Sequence, residues 1–157
     1  MNKPEKIDNF LFFDTETTGL TDHDEIIELA ITKKNGDPVF HSRFKPTAVI
    51  NPKAEAVHKI SIESLKDSPL FDDALDEIIN VFLAVGVAVA YNVEFDVRML
   101  RQTCERYGRD TDWMSQIQWV CLMNHYSSYM YDMMNPESTF QRYKLTQACL
   151  SNDIKIQ

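Results

Sequence analysis

The sequence predicts an α/β fold built on a sheet of mixed pairing. Two patterns carry that reading. Three apolar, strand-like runs come first, the last two joined by a hairpin signal; helix and strand patterns then alternate to the end of the chain. At 157 residues and 44% hydrophobic content, the chain reads as one domain with a substantial core. Nine Phe, six Tyr and two Trp argue against disorder.

The first strand is residues 10–15, opened by the apolar run Phe10-Leu11-Phe12-Phe13. Glu25 to Thr32 (EIIELAIT) is the second and Val39 to Phe44 the third. Between the last two, Lys33-Lys34-Asn35-Gly36-Asp37 carries the Asn-Gly mark of a hairpin turn. Residues 46–68 are rich in Pro, Ser and Lys and hold short helical pieces. Ser68-Pro69 reads as a capping serine before a first-turn proline. The helix after it gathers Phe71, Ala74, Leu75, Ile78, Ile79 and Phe82 on one face. Gly86 to Tyr91 (GVAVAY) is a continuous apolar strand of the kind found in the centre of a sheet. A second helix runs from about Val93 to Tyr107, with Phe95, Met99, Leu100, Cys104 and Tyr107 on one stripe and Gly108 as its C-cap. Ile117 to Val120 is a fifth, short strand. A helix through His125, a Met/Tyr-rich mobile loop around Asn135-Pro136 and a last helix from Tyr143 to Leu150 complete the order.

The net charge of −8 excludes a broad basic footprint for nucleic acid, so such a substrate needs local contacts or metal ions. Cys104, Cys121 and Cys149 are scattered, without a CxxC, and read as reduced structural thiols of a cytoplasmic protein. The polar start Met1–Glu5 lacks a signal-peptide pattern, and the longest apolar run, Val81 to Tyr91, is too short to span a bilayer.

Asp14-Thr15-Glu16-Thr17-Thr18-Gly19 closes the first strand. Strand side chains alternate, so Asp14 and Glu16 point the same way, about 7 Å apart. Two carboxylates at the mouth of an apolar strand repel each other and lose hydration, and a hard divalent cation such as Mg²⁺ would relieve both. Asp96 follows the central strand in the first turn of a helix, at the end of the sheet where α/β folds place ligands. Alone, Asp96 could serve only to stabilise its helix, and Asp14 could be a turn residue. The three together point to a metal site. The acids of Asp72-Asp73 and Asp76-Glu77 read instead as a solvated helix face.

These residues resemble the DEDDh, or DnaQ-like, 3′–5′ exonuclease family. Asp14–Leu20 (DTETTGL) is similar to its first motif and Asn92–Asp96 to its second, N-x-x-F-D. Between them, Ile50–Ile60 resembles the family's segment ending V-H-G-I, with Lys59 in place of glycine. The resemblance implies a ribonuclease H-like fold with a five-stranded mixed sheet, its first three strands antiparallel, flanked by helices. It implies two Mg²⁺ or Mn²⁺ ions held by Asp14, Glu16 and Asp96, and release of nucleoside 5′-monophosphates from DNA 3′ ends. Backbone groups of Thr17, Thr18 and Gly19 would approach the terminal nucleotide, Leu20 and Phe95 would contact its base or sugar, and Asn92 would lie beside it. His58 either lines that pocket or is a surface residue. Single-stranded or frayed DNA is the expected partner, with a polymerase or another replication or repair protein as a possible second. The Thr17-Thr18-Gly19 wording is closer to proofreading enzymes than to RNA-directed members. The alternatives are RNA as substrate, or a catalytically weak module that grips nucleic-acid ends or a protein.

The family's third motif, H-x-A-x-x-D, supplies a general base and a last metal ligand, and it does not occur here. Tyr143–Leu150 resembles the helix that precedes it. Neither His23, His125 nor Asp153 fits the missing pattern, so no residue is assigned as general base. The expectation is one exonuclease domain over residues 1–157 that lacks its C-terminal helix, rather than a natural protein that ends here as a weakened enzyme. Loss of a general base costs about 10²–10⁴-fold in rate.

Overall fold

The computed structural model describes residues 9–133 and 141–155. The Asn135-Pro136 loop expectation lies outside the described residues. β1 (Leu11–Thr17), β2 (Ile26–Lys33), β3 (Pro38–Arg43), β4 (Val87–Ala90) and β5 (Gln118–Cys121) form one sheet in the order β3-β2-β1-β4-β5. The first three strands are antiparallel, while β4 runs parallel to β1 and β5 parallel to β4. This is the mixed α/β sheet expected. The hairpin turns at Gly36, whose φ of 88° a glycine adopts without strain.

Alternation along β1 sorts its side chains. Leu11, Phe13 and Thr15 are buried, whereas Phe12, Asp14 and Glu16 face the more open side. The buried face meets helices α2 (Phe71–Val85) and α3 (Val93–Arg106). Phe13, Phe82 and Trp119 pack edge to face there, with ring centroids 5.3–5.6 Å apart. On the open face, Phe10, Phe12, Val87, Val89 and Val120 line a shallow groove beside Leu122 and His125 of α4 (Leu122–Met133). The short α5 (Leu145–Leu150) is anchored by buried Ala148 and by Tyr143, whose carbonyl accepts the Tyr91 hydroxyl at 2.7 Å.

A second cluster of Ile27, Ile50, Ile60 and Leu65 docks the segment carrying α1 (Pro52–His58) against β2. Asn51 caps α1 by accepting the Lys53 N–H at 2.9 Å.

Two local expectations are corrected. α2 begins at Phe71, two residues beyond the Ser68-Pro69 start. The Pro69 carbonyl accepts the Lys45 N–H at 2.8 Å, which ties that segment to the strand side of the molecule. The Leu70 N–H is taken instead by the Asp73 carboxylate at 2.9 Å. The acidic face of α2 is not merely solvated: Asp72 and Asp76 both accept from Arg109, which fastens α2 to the end of α3. Gly108 ends α3 with a φ of 68°, as expected of a C-cap. All three cysteines are free, and burial pushes the Cys104 thiol up to about 11, which keeps it unreactive. Among the described residues no helix is long and apolar enough to cross a membrane.

Candidate active site

Asp14 and Glu16 project from the last turns of pleat in β1 on the open face, and Glu28 of β2 lies directly across from Glu16. Like charges so placed raise one another's pKa. Burial lifts Asp14 above the usual carboxylate range, with the Thr15 N–H opposing and Glu28 adding to the rise. Glu16 is pushed up to about 7, first by burial and then by the charges of Asp14, Glu28 and Asp96. Glu28 differs from its neighbours because it has a cation: Arg43 donates to it, and the His41 imidazole stands 3.6 Å away. Among the described residues, Asp14 and Glu16 form no ion pair.

Asp96 reaches the same region from the other side of the sheet, in the first turn of α3. The Thr15 hydroxyl donates to its Oδ1 at 2.7 Å. Thr15 alternates with Asp14 and Glu16, so it faces α3 while they face away. Burial raises Asp96 to about 6, opposed by that hydroxyl, with the Asp14 charge adding to the rise. The three acids therefore feel one another's charge without closing into a cage. Among the described residues, no group of three or more His, Cys, Asp or Glu side chains is near enough to hold a metal ion. The donor set still suits a hard cation. Asp14 and Glu16 offer carboxylate oxygens on one face, and burial and repulsion both favour an added positive charge.

The loop after β1 is tightly bonded. Thr17 Oγ1 donates to the Gly19 carbonyl at 2.7 Å. Thr18 donates its N–H to the Glu25 carbonyl and accepts the Asn51 N–H on its own carbonyl at 2.7 Å. Its hydroxyl donates to Asp24 at 2.8 Å and accepts the Glu25 N–H at 3.0 Å. Every polar group of Thr18 is engaged inside the protein, so Thr18 serves to fix the loop. Gly19 is a glycine for a reason the sequence did not show. A Cβ there would stand 2.6 Å from Asp24 Oδ2.

The apolar pair flanks this loop. Leu20 is 74% exposed. Phe95 is half-buried, and the Arg98 guanidinium lies 5.3 Å from its ring centroid. Asn92 is exposed and precedes α3 without a side-chain cap bond; its carbonyl accepts the Phe95 N–H at 2.9 Å. His58 accepts the Ile60 N–H on Nδ1 at 3.0 Å, which assigns its proton to Nε2. Among the described residues, that Nε2 is buried and has no hydrogen-bond partner. Lys59, in the place of the family's glycine, adopts a φ of 61°. His125 lines the apolar groove of the open face, and His23 is exposed beside Asp22.

Sequence reasoning missed Glu28, Thr15, Asp24 and Arg98. A signal existed for one contact only: Glu28 and Arg43 are symmetric about Asn35-Gly36, so the hairpin places them opposite each other.

The profile of an exonuclease family, RNase T, matches residues 11–157. The chain belongs to this exonuclease family. The domain is 32% identical over 125 residues to an uncharacterized exonuclease, CP81, of Escherichia phage 186, covering 78% of this chain and 64% of that protein. It is 32% identical over 97 residues to the DNA polymerase III epsilon subunit of Salmonella typhimurium, covering 55% of this chain and 40% of that one. Against the PolC-type DNA polymerase III of Thermotoga maritima, identity is 35% over 96 residues, 59% of this chain and 7% of the polymerase. The chain thus spans less than two thirds of the length of these curated relatives. Among solved structures, exonuclease X in complex with 5′-overhanging duplex DNA superposes with a TM-score of 0.65 at 22% identity, covering 94% of this chain and 75% of that one. Escherichia coli exonuclease I with a dA16 oligonucleotide gives 0.72 at 19% identity, covering 94% and 36%. At that identity the likeness establishes the fold, that of DnaQ-like, ribonuclease H-like exonucleases.

Proposed function

We propose that this exonuclease domain is a metal-dependent 3′–5′ exonuclease that releases nucleoside 5′-monophosphates from DNA 3′ ends. One observation carries the reading. Among the described residues, Asp14 and Glu16 stand on the open face with raised pKa values and no ion pair, while Glu28 next to them pairs with Arg43. The fold supplies charge partners where it needs them and leaves this pair for a ligand.

Asp14 and Glu16 would hold two Mg²⁺ or Mn²⁺ ions, with Asp96 contributing directly or through water. When bound, the ions supply a counter-charge for the phosphate and a water of lowered pKa. The chain's own residues do the rest. Thr15 holds the Asp96 carboxylate at the end of α3. Thr18 and Asp24 hold the loop that presents Leu20. Leu20 and Phe95 offer apolar surface to a terminal base or sugar, and His58 would line the same pocket. Single-stranded or frayed DNA fits this open face, and a replication or repair protein in the cytoplasm is the setting in which such an end would be met.

The test uses a 3′-labelled single strand with Mn²⁺. Chelator-sensitive release of labelled mononucleotide, abolished by Asp14→Ala, is the expected result. End binding with no release in Mn²⁺ or Mg²⁺ would instead identify a binding module, and faster release from RNA would overturn the choice of DNA.

A further inference from the structure

Arg98, Gln102 and Arg106 recur every fourth residue on α3 and so share one helix face. All three donate into the loop between β1 and β2. Arg98 Nη2 donates to the Leu20 carbonyl at 3.2 Å. Gln102 Nε2 donates to the Thr21 carbonyl at 3.0 Å and also to that of Asp24. Arg106 Nη2 donates to the His23 carbonyl. Arg98 Nη1 further donates to Gln102 Oε1 at 3.0 Å, which sets the amide with its NH₂ toward the loop. From inside the loop, Asp24 accepts the Thr18 hydroxyl and both the N–H and hydroxyl of Thr21. A segment with no strand or helix of its own is thus held from two sides.

What this bracing leaves free is the Leu20 side chain, 74% exposed and four residues after Glu16. Isolated surface hydrogen bonds contribute little, but four loop carbonyls converging on one helix stripe fix the position of that side chain. The Arg98 guanidinium has a second contact, the Phe95 ring at 5.3 Å. One side chain therefore ties both apolar surfaces beside the acids, holding Leu20 through its carbonyl and Phe95 through its ring.

We propose that Arg98 and Gln102 are positioning residues that set the gap between Leu20 and Phe95, and through it the recognition of the 3′-terminal nucleobase. The proposal rests on the nuclease reading above. Neither residue needs to touch the substrate. A terminal base fits between two apolar surfaces only if their separation is fixed before it arrives; a loose loop would lose that selectivity first.

The test compares the chain with Arg98→Ala and Gln102→Ala by two readouts. Hydrogen exchange of the amides of residues 19–25 is followed in the free protein. Affinity is measured in Ca²⁺, by fluorescence anisotropy, for a 5′-fluorescein oligothymidylate and for the same oligomer with an abasic 3′-terminal residue. Loss of one or two such bonds is expected to speed loop exchange about tenfold and to cut the preference for the base-bearing end about five- to tenfold. Exchange in β1 and the melting temperature should stay within a few degrees and a small factor of the parent. If an alanine variant loses general stability, Arg98→Lys and Gln102→Asn replace it; Lys retains a donor and is expected to keep part of the preference. Unchanged loop exchange overturns the proposal. So does faster exchange with the preference intact, which would make the stripe merely structural. If the parent chain binds neither oligomer, the nuclease reading itself falls and takes this one with it; if the parent discriminates and the variants do so equally, only this one falls.

Discussion

Two acidic pairs, Asp14/Glu16 on β1 and Asp24/Glu25 just before β2, stand on either side of one loop, and the fold treats them in opposite ways. Burial would raise Asp24, but hydrogen bonds from Thr21 and Thr18, with the charge of Arg106, more than offset it and leave its pKa lowered. Glu25 is fully buried, and its Oε1 accepts the Thr47 hydroxyl at 2.8 Å, the Ala48 N–H at 2.6 Å and the Thr47 N–H. For Asp14 the Thr15 N–H opposes burial without offsetting it, and Asp14 and Glu16 are both raised instead. The same side-chain chemistry thus marks a scaffold in one place and, on the function proposed above, a ligand site in the other. The distinction lies in who supplies the positive or donating partner: the protein for Asp24 and for Glu25 Oε1 and, on the proposed function, something from outside for Asp14 and Glu16.

The comparison breaks most visibly at Glu25. Glu25→Ala would leave two partly buried backbone N–H groups and a threonine hydroxyl without their acceptor. At about 1–3 kcal/mol for each orphaned group, stability should fall by about 3 kcal/mol. For a chain of this length that lowers the melting temperature by about 10 °C. Calorimetry checks it, and a shift under about 2 °C would show that Glu25 is no anchor. The same variant should free residues 46–49, which Glu25 holds.

A second, smaller effect is expected at Gly19. Its missing Cβ makes room for the Asp24 carboxylate, and three donors keep that carboxylate from swinging away. Gly19→Ala should cost about 1–3 kcal/mol by overpacking. Urea unfolding of Gly19→Ala, Asp24→Ala and Gly19→Ala/Asp24→Ala separates the causes. If the clash is the reason, the two substitutions will not add, because removing the Asp24 carboxylate relieves Gly19→Ala.

The pH dependence probes the other pair. A carboxylate with a raised folded pKa makes the folded chain hold its proton more tightly than the unfolded one. That contribution is present at low pH and is lost as pH rises from the ordinary value of 4.5 toward about 7 for Glu16, with Asp96 acting in the same sense between 3.8 and about 6. Without divalent cations, the melting temperature should therefore fall by a few degrees between pH 5 and pH 8. Glu16→Gln should flatten that slope and raise stability at pH 8. Mn²⁺ should restore the parent at pH 8 and leave Asp14→Asn/Glu16→Gln unmoved. A parent more stable at pH 8 than at pH 5 would mean that these acids find a partner within the protein.

The strands, the hairpin at Asn35-Gly36, the C-cap at Gly108 and the shared face of Asp14 and Glu16 were legible because each depends on neighbours in sequence. What was not legible depends on distant ones. The start of α2 was misplaced because Lys45, far upstream, bonds to Pro69. That Thr18 fixes the loop was not visible because its partners Asp24, Glu25 and Asn51 converge only in the folded structure. The hydroxyl partner of Asp96, Thr15, points to the opposite face of the strand from Asp14 and Glu16, which no spacing rule reveals. The aromatic stripe of α3 was visible, whereas its Arg98-Gln102-Arg106 stripe reads in sequence as ordinary solvated polarity.

The smallest expected effect asks whether backbone strain, like charge, is left uncompensated beside the site. Lys59 sits at a φ of 61° just past α1, a conformation that costs a side-chain-bearing residue about 1–2 kcal/mol. Its ammonium donates to the Ala56 carbonyl, but that exposed contact recovers only a fraction. Lys59→Gly should therefore raise stability by up to about 1 kcal/mol, after the larger chain entropy of unfolded glycine is subtracted. Lys59→Ala keeps the strain and loses the ammonium, so it should be neutral or slightly destabilising. The turn that lets His58 accept the Ile60 N–H should persist in both, and the imidazole ¹⁵N shifts report it. If Lys59→Gly instead lowers the melting temperature, the lysine side chain is worth more than the strain, and the turn is held by contact rather than endured.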